Sequence, residues 1–310
     1  MMFIRANQSA ILLPTLNQLY VKPMKLLTLF AALLISTSTL ATEKTPLTLK
    51  VYNASDKSFH VNSTLIYGEK EAVVIDGGFT RADGLRIAAN VLDSGKTLTT
   101  IFISQSDPDY YFGAEVLKQM FPNAKVLATP SVLKMLEKKK AGKIAFWSPE
   151  MGVNAPVYPV TPEPFKQKSF TVDGYRIEIK GTEGGLAHRP YLWVPSLKAI
   201  VGNIAVFDGL HVWTADVQTP ELQKEWFAQL EEMQSLKPEV VVPGHMAAGS
   251  KLNGDGIRYT IEYLKAFNTA KQNSKSSEAL IETMTTLYPE AQLSLALNIG
   301  AKVHMGEMKW

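Results

Sequence analysis

Cysteine is absent from the 310 residues, which excludes disulfides, thiolate metal ligands and a cysteine nucleophile. Packing must supply the stability. Acidic residues are absent from the first 41 positions, where Lys22 and Lys25 precede the apolar run Leu26–Ile35 and the small residues around Ala41. This is the order of a basic n-region, an h-region and a cleavage site. The sequence therefore predicts an N-terminal extension and signal peptide over residues 1–41, with Met24 as the true start and a periplasmic or secreted mature chain. The apolar run falls short of the roughly 20 residues that span a bilayer. Charge of one sign is also missing: without Arg5, Lys22 and Lys25 the 32 basic residues fall to 29, equal to the 29 acidic ones. A neutral chain with no long basic face gives no electrostatic case for nucleic acid or, after signal cleavage, for a membrane. A small-molecule ligand or substrate fits better; oligomeric state is left open.

What is present alternates short β-branched runs with helical periods, an α/β pattern. Strands are predicted at 47–52, 63–67, 72–76, 99–104 and 125–129, with a helix near Arg81–Leu92. Residues 169–180 alternate with period two about Asp173-Gly174, a hairpin dipeptide, and further strands follow at 191–194, 199–201 and 240–242. Thr219 can cap a helix opened by Pro220, with Leu222, Trp226, Leu230 and Met233 on one face. Two more helical stretches over 255–287 carry Ile257, Ile261 and Leu264, then Leu280, Met284 and Leu287. They form a C-terminal helical elaboration, 251–310, of a domain spanning 42–250. The prolines from Pro149 to Pro164 predict an extended connection between the halves.

Polar turns follow the strands at Asp76-Gly77-Gly78, Gln105-Ser106-Asp107-Pro108-Asp109 and Pro243-Gly244-His245, and Gly181–Gly185 follows the hairpin. Strand-end loops gather ligands in α/β proteins, so the four are expected to converge. Glycine lets the chain turn tightly and present His245. Asp109 either acts in a site or caps a helix over Tyr110–Met120, and Asp107 is held extended by the proline after it. Tyr110 is the better functional candidate of the two tyrosines there. His211 and Asp216, around Trp213, either pair along a cleft or leave His211 a satisfied buried histidine. His60 and His304 have no partner in motif and are expected at the surface.

These residues resemble the metallo-β-lactamase superfamily: Val73-Val-Ile-Asp-Gly-Gly78, the polar loop before Phe112-Gly113, Ala199-Ile-Val-Gly-Asn203 and Val240-Val-Val-Pro-Gly-His245 occur in its order. The resemblance implies a four-layer αββα sandwich with its active site along one edge. The superfamily's metal loop, His-x-His-x-Asp-His, carries onto Gln105, Asp107, Asp109 and Tyr110, where only Asp109 matches. Its third histidine should fall near Glu183, with His188 a few residues later; its bridging aspartate falls on Asn203 and its last histidine on His245. The position of Asp76 supports the metal loop.

Losing the bridge and three imidazoles removes the geometry for two zinc ions and their hydroxide. The resemblance then implies, at most, one divalent ion, zinc or manganese, held by Asp107, Asp109 and His245 and completed by Glu183, His188 or His211. Three functions follow as expectations. The first is an exported hydrolase of an ester, lactone or amide with Asp109 as ligand or base; the second is a non-catalytic fold binding a small molecule or periplasmic partner. The third is metal-free acid and base chemistry by Asp107, Asp109 and His245.

Overall fold

The computed structural model describes residues 45–310, so the extension and signal expected over 1–41 lie outside the described residues. A first sheet holds β1 (Thr48–Asn53), β2 (Asn62–Tyr67), β3 (Glu71–Ile75), β4 (Thr97–Ile103), β5 (Lys125–Ala128) and β6 (Glu163–Pro164), side by side in that order. The first three strands are antiparallel neighbours; β3 to β6 run parallel. A second sheet draws on β7 (Ser169–Val172), β8 (Tyr175–Lys180), β9 (Tyr191–Val194) and β10 (Ala199–Val201). Beyond the short β11 (Phe207–Asp208), β12 (Val240–Val241) joins the edge of this sheet beside β10, and β13 (His245–Met246) pairs with β11.

Alternation decides which residues meet between the sheets. Val73 and Ile75 of β3 and Phe102 of β4 pack there against Ile177 and Ile179 of β8 and Leu192 of β9. Val74, Ile101 and Ile103 point the other way, onto α1 (Arg81–Ser94) and α3 (Ala114–Met120), which follows the one-turn α2 (Pro108–Tyr111), and α4 (Pro130–Met151). Because both faces are covered, these strands read as near-continuous apolar runs. The outer face of the second sheet packs on α5 (Pro220–Ser235), α6 (Asp255–Asn273), α7 (Ser277–Leu287) and α8 (Ser294–His304) through Trp226, Leu230, Tyr263, Phe267, Met284 and Leu297. The result is a four-layer αββα sandwich with a C-terminal helical region. Residues 45–310 lie within one compact unit.

Two local expectations change. The connection from Pro149 begins as helix: Thr129 accepts from Val132 N, Pro130 suits the first turn, and α4 runs to Met151 with Pro149 in its last turn. A proline there forfeits only one late helical bond. The helix expected over 110–120 is broken at Gly113, whose N–H donates to Gly78 O at 2.9 Å. A Cβ on Gly113 would lie 2.3 Å from Gly77 O, so this close approach needs glycine. The helix α8 carries no cap signal in the sequence; its N-cap is Leu293 in the left-handed region, with no side-chain cap.

Candidate active site

Three of the four polar turns meet at one edge of the sandwich. Asp76, at the end of β3, accepts the Ser104 N–H and hydroxyl, each at 2.7 Å, and so ties the β4 loop to β3. Asn62 N donates to Gly244 O at 2.9 Å, which brings the Pro243-Gly244-His245 turn alongside β2. Tyr110 donates to Asn203 O at 3.1 Å and closes the β10 end onto α2. The fourth turn goes elsewhere: Leu186 N donates to Glu225 on α5, and Glu183, 87 % exposed, sits by Lys168. Glu183 is therefore not among the residues brought together.

The turns leave His245 and Asp109 facing each other. His245 Nδ1 lies 2.8 Å from the Phe59 carbonyl, and its Nε2 lies 3.4 Å from Asp109 Oδ2. A carbonyl only accepts, so Nδ1 carries the proton and Nε2 presents a lone pair. Phe59 and His60 both hold left-handed backbone, φ 56° and 57°, uncommon for non-glycine residues. That bend puts the Phe59 carbonyl over the imidazole. His60 is buried, 7 % exposed, contrary to the expected surface place, because the bend turns it inward.

Burial dominates the electrostatics. It lowers the His245 pKa from 6.5 to about 4, against the opposing hydrogen bond that the ring donates to the Phe59 carbonyl. Burial, then the charge of Asp107, holds Asp109 well above the usual carboxylate range. Two acceptor groups 3.4 Å apart repel unless a proton stands between them. Both shifts favour the uncharged forms, a protonated Asp109 beside an imidazole bare at Nε2. Burial also raises Asp76, to about 7, despite its Ser104 bonds.

A pocket of about 60 Å³ opens in front of the pair. That is room for a few waters or the reacting end of a small molecule. One wall is the Phe59, Phe79 and Trp147 cluster; the other is Trp213 against Trp310, ring centres 5.4 Å apart. Asp107 and Asp216 also line it. Burial and Asp216 raise Asp107; burial opposes the charge of Asp216, but Lys139, 3.7 Å away, and Arg189 outweigh it and hold it low. Trp310 Nε1 donates to Asp216 at 2.9 Å, and Lys143 lies 5.3 Å from the Trp310 ring centre.

Other expected site residues serve elsewhere. Gln105 donates to Pro190 O, and Asn203 both donates to Val242 O and accepts from Val206 N. Tyr110 is fully buried behind His245, edge-on to its ring. His211 pairs with the Tyr263 hydroxyl at 3.0 Å rather than with Asp216. His188 is half-buried beside Arg189 and away from the pocket lining. His304, expected at the surface, is half-buried with Nε2 3.1 Å from Thr214 O. Asp107 stands at the N-cap of α2 without a side-chain cap bond, and Asp109 lies within that turn.

The family model for the metallo-beta-lactamase superfamily matches residues 57–245. The chain belongs to this superfamily. A metallo-beta-lactamase family protein from Thermus thermophilus is 18% identical at TM-score 0.53, covering 84% of this chain and 93% of its own. A double mutant of a sec-alkyl sulfatase is 17% identical at TM-score 0.53, covering 80% of this chain and 48% of its own. A metallo-beta-lactamase from Pontibacter korlensis, 18% identical at TM-score 0.49, covers 70% of this chain and 99% of its own. The first two likenesses establish the fold. No curated protein matches.

Metallo-beta-lactamase superfamily members usually bind zinc, so the donors must be tested against an ion. Among the described residues no three His, Asp or Glu side chains stand close enough to hold one. The chemistry of the individual groups agrees. Asn203 and Asp76 are engaged at both side-chain polar atoms by protein partners, Gln105 is tied to Pro190, and His245 offers only Nε2. The Asp107, Asp109 and His245 set does not fit the ion expected of it.

Sequence reasoning missed Lys143, Trp147 and Trp310, which line the pocket, and Lys139, which faces Asp216. Lys139, Lys143 and Trp147 recur every four residues on one face of α4, a spacing visible once that helix is recognised. Trp310 gave no signal, since only the fold returns it to Asp216.

Proposed function

We propose that this chain is a small-molecule hydrolase of the superfamily whose working group is the proton-sharing Asp109–His245 pair. The substrate class is an ester, lactone or amide, and the mature protein acts after export. Export is supported by the N-terminal sequence alone. The observation that carries the catalytic reading is the fixed tautomer: Phe59 holds the Nδ1 proton, so Nε2 is free to exchange a proton with Asp109. Catalytic pairs commonly stand loosely until substrate tightens them.

In this reading neutral His245 takes at Nε2 a proton from the water that attacks the carbonyl, while protonated Asp109 gives its proton to the leaving oxygen or nitrogen. Transfer of the proton from His245 to Asp109 then restores the resting form, so the cycle consumes one water. Asp107 orients the water or the substrate's polar end, and the aromatic walls hold its apolar part and exclude solvent. Tyr110 keeps His245 in place.

The test is turnover of ester, lactone and amide panels by chelator-treated protein. Activity removed by both Asp109→Asn and His245→Gln in folded protein supports the assignment. Activity restored only by added zinc or manganese refutes it, and so does binding without turnover across the panel.

A further inference from the structure

Val153, Tyr158 and Phe146 are the three most exposed large apolar side chains among the described residues, at 96, 78 and 67 %. All three lie at the end of α4 or in the segment that follows it, where Val157 is exposed as well. From Ala141 to Tyr158 the exposed positions carry a single charge, Glu150, whereas a protein surface ordinarily carries roughly a quarter to a third charged residues. Scattered apolar residues on a surface need no explanation, but a contiguous run of them marks a contact face.

The run is held in place. Lys140 Nζ donates to Pro159 O at 2.8 Å and to Thr161 Oγ1 at 2.7 Å, and Tyr158 N donates to Glu115 Oε2 at 2.8 Å. These bonds fold the segment after α4 back along the helix. Phe146 stands edge-on to Trp147, ring centres 4.8 Å apart, and Trp147 lines the pocket. The apolar face therefore adjoins the pocket mouth.

Charge and shape decide what covers it. The balanced charge of the whole chain is no guide to this one helix: of the five lysines of α4, Lys139 faces Asp216 at 3.7 Å, which leaves four against Glu137 and Glu150. Lys134 and Lys138 are exposed, and Lys138 lies about 12 Å along the helix axis from Phe146 at 1.5 Å per residue. Apolar tip and basic flank are thus separated along the helix. Val153 stands almost clear of the protein, so the face protrudes. A second copy related by a two-fold axis would set protrusion against protrusion and lysine against lysine, burying little area. A fluid lipid surface accepts a protruding apolar tip and offers anionic headgroups to the lysines around it.

We propose that the end of α4 and the 152–160 segment dock the protein on an anionic phospholipid bilayer, with Phe146, Val153, Val157 and Tyr158 entering the acyl boundary and the α4 lysines meeting the headgroups. Among the described residues no helix is long and apolar enough to cross a membrane, so the contact is peripheral. Docking brings the pocket beside the bilayer. This inference stands apart from the acid–base reading, because it uses neither Asp109 nor His245.

Sedimentation with vesicles of phosphatidylglycerol and phosphatidylcholine tests it, in chains that all share one N-terminus so that residues 1–41 contribute equally to each. Wild type should pellet with the mixed vesicles and bind phosphatidylcholine alone at least about fivefold more weakly. Phe146→Ser with Val153→Ser should weaken binding at least about tenfold, and Lys134→Gln with Lys138→Gln about tenfold. Leu287→Ser, an exposed apolar position on α7 in the other helical layer, should bind as wild type does. If the Phe146 variant does not fold, Val153→Ser with Tyr158→Ser replaces it. Wild type that ignores the mixed vesicles or binds both kinds equally overturns the proposal. So does a folded patch or lysine variant that binds like wild type, or an equal loss in Leu287→Ser. A lipid-free dimer in size-exclusion chromatography that the patch substitutions dissolve assigns the face to a second copy and overturns it too. None of these readings uses turnover, so the Asp109→Asn and His245→Gln kinetics judge the catalytic assignment separately.

Discussion

His245 Nδ1 stands 2.8 Å from the carbonyl of Phe59, a residue 186 positions away in sequence. This contact fixes which imidazole nitrogen carries a proton and which faces Asp109. Four consequences can be measured.

Asp109→Asn and His245→Gln should each lower kcat/KM by roughly 10²- to 10⁴-fold, the usual worth of positioned acid–base groups. The double variant should lose little more than either one, because the two residues act as a unit. Steady-state kinetics on the best panel substrate checks this; additive losses would mean separate roles.

Stability should respond to pH in two opposite ways. His245 has a folded pKa near 4, below its ordinary 6.5. The unfolded chain therefore binds more protons in that window, and stability is lost as pH falls from about 6.5 to about 4. Asp76 has a folded pKa near 7, above its ordinary 3.8. The folded chain binds more protons there, so stability is lost as pH rises from about 4 to about 7. Each effect is on the order of 2–4 kcal/mol. Urea unfolding across this range should lose the acid limb in His245→Gln and the opposing slope in Asp76→Asn.

Asn203→Asp should not restore metal binding. The Asn203 amide donates to Val242 O at 2.9 Å, and a carboxylate cannot donate there. The substitution should cost about 1–3 kcal/mol by leaving a buried carbonyl unpaired. A thermal melt and metal analysis of the variant read both outcomes; stoichiometric zinc with unchanged stability would contradict them.

Trp310→Ala should raise KM several-fold, by roughly 3- to 10-fold for about 1 kcal/mol of lost contact, with little change in melting temperature, since the side chain is 48 % exposed. Trp310→Phe keeps a ring against Trp213 and loses only the bond to Asp216, so it should fall between. An unchanged KM in Trp310→Ala would remove this residue from the substrate's path.

The layers were legible in the sequence because both sheets carry strong apolar runs and α5 has a clear capped, one-faced period. The Asp76, Asp107–Asp109 and His245 turns were legible too, since Gly and Pro mark strand ends. Reading α4 failed because Pro149 and the prolines after it outweighed the Thr129-Pro130 start. The partners of each side chain were not legible. Nothing local in the sequence indicates that Tyr263 takes His211, that Trp310 takes Asp216, or that Arg189 lies buried over Trp226. Those contacts depend on the α-helical layer closing over the second sheet.

The most direct measurement of the central claim is the nitrogen NMR of His245, with the signal assigned by its loss in His245→Gln. The account predicts a neutral ring at pH 7, protonated at Nδ1 and bare at Nε2, that stays so until pH falls toward about 4, the value burial gives it. A ring protonated at Nε2, a charged ring at about pH 7, or an Nε2 signal that shifts stoichiometrically with zinc would contradict it.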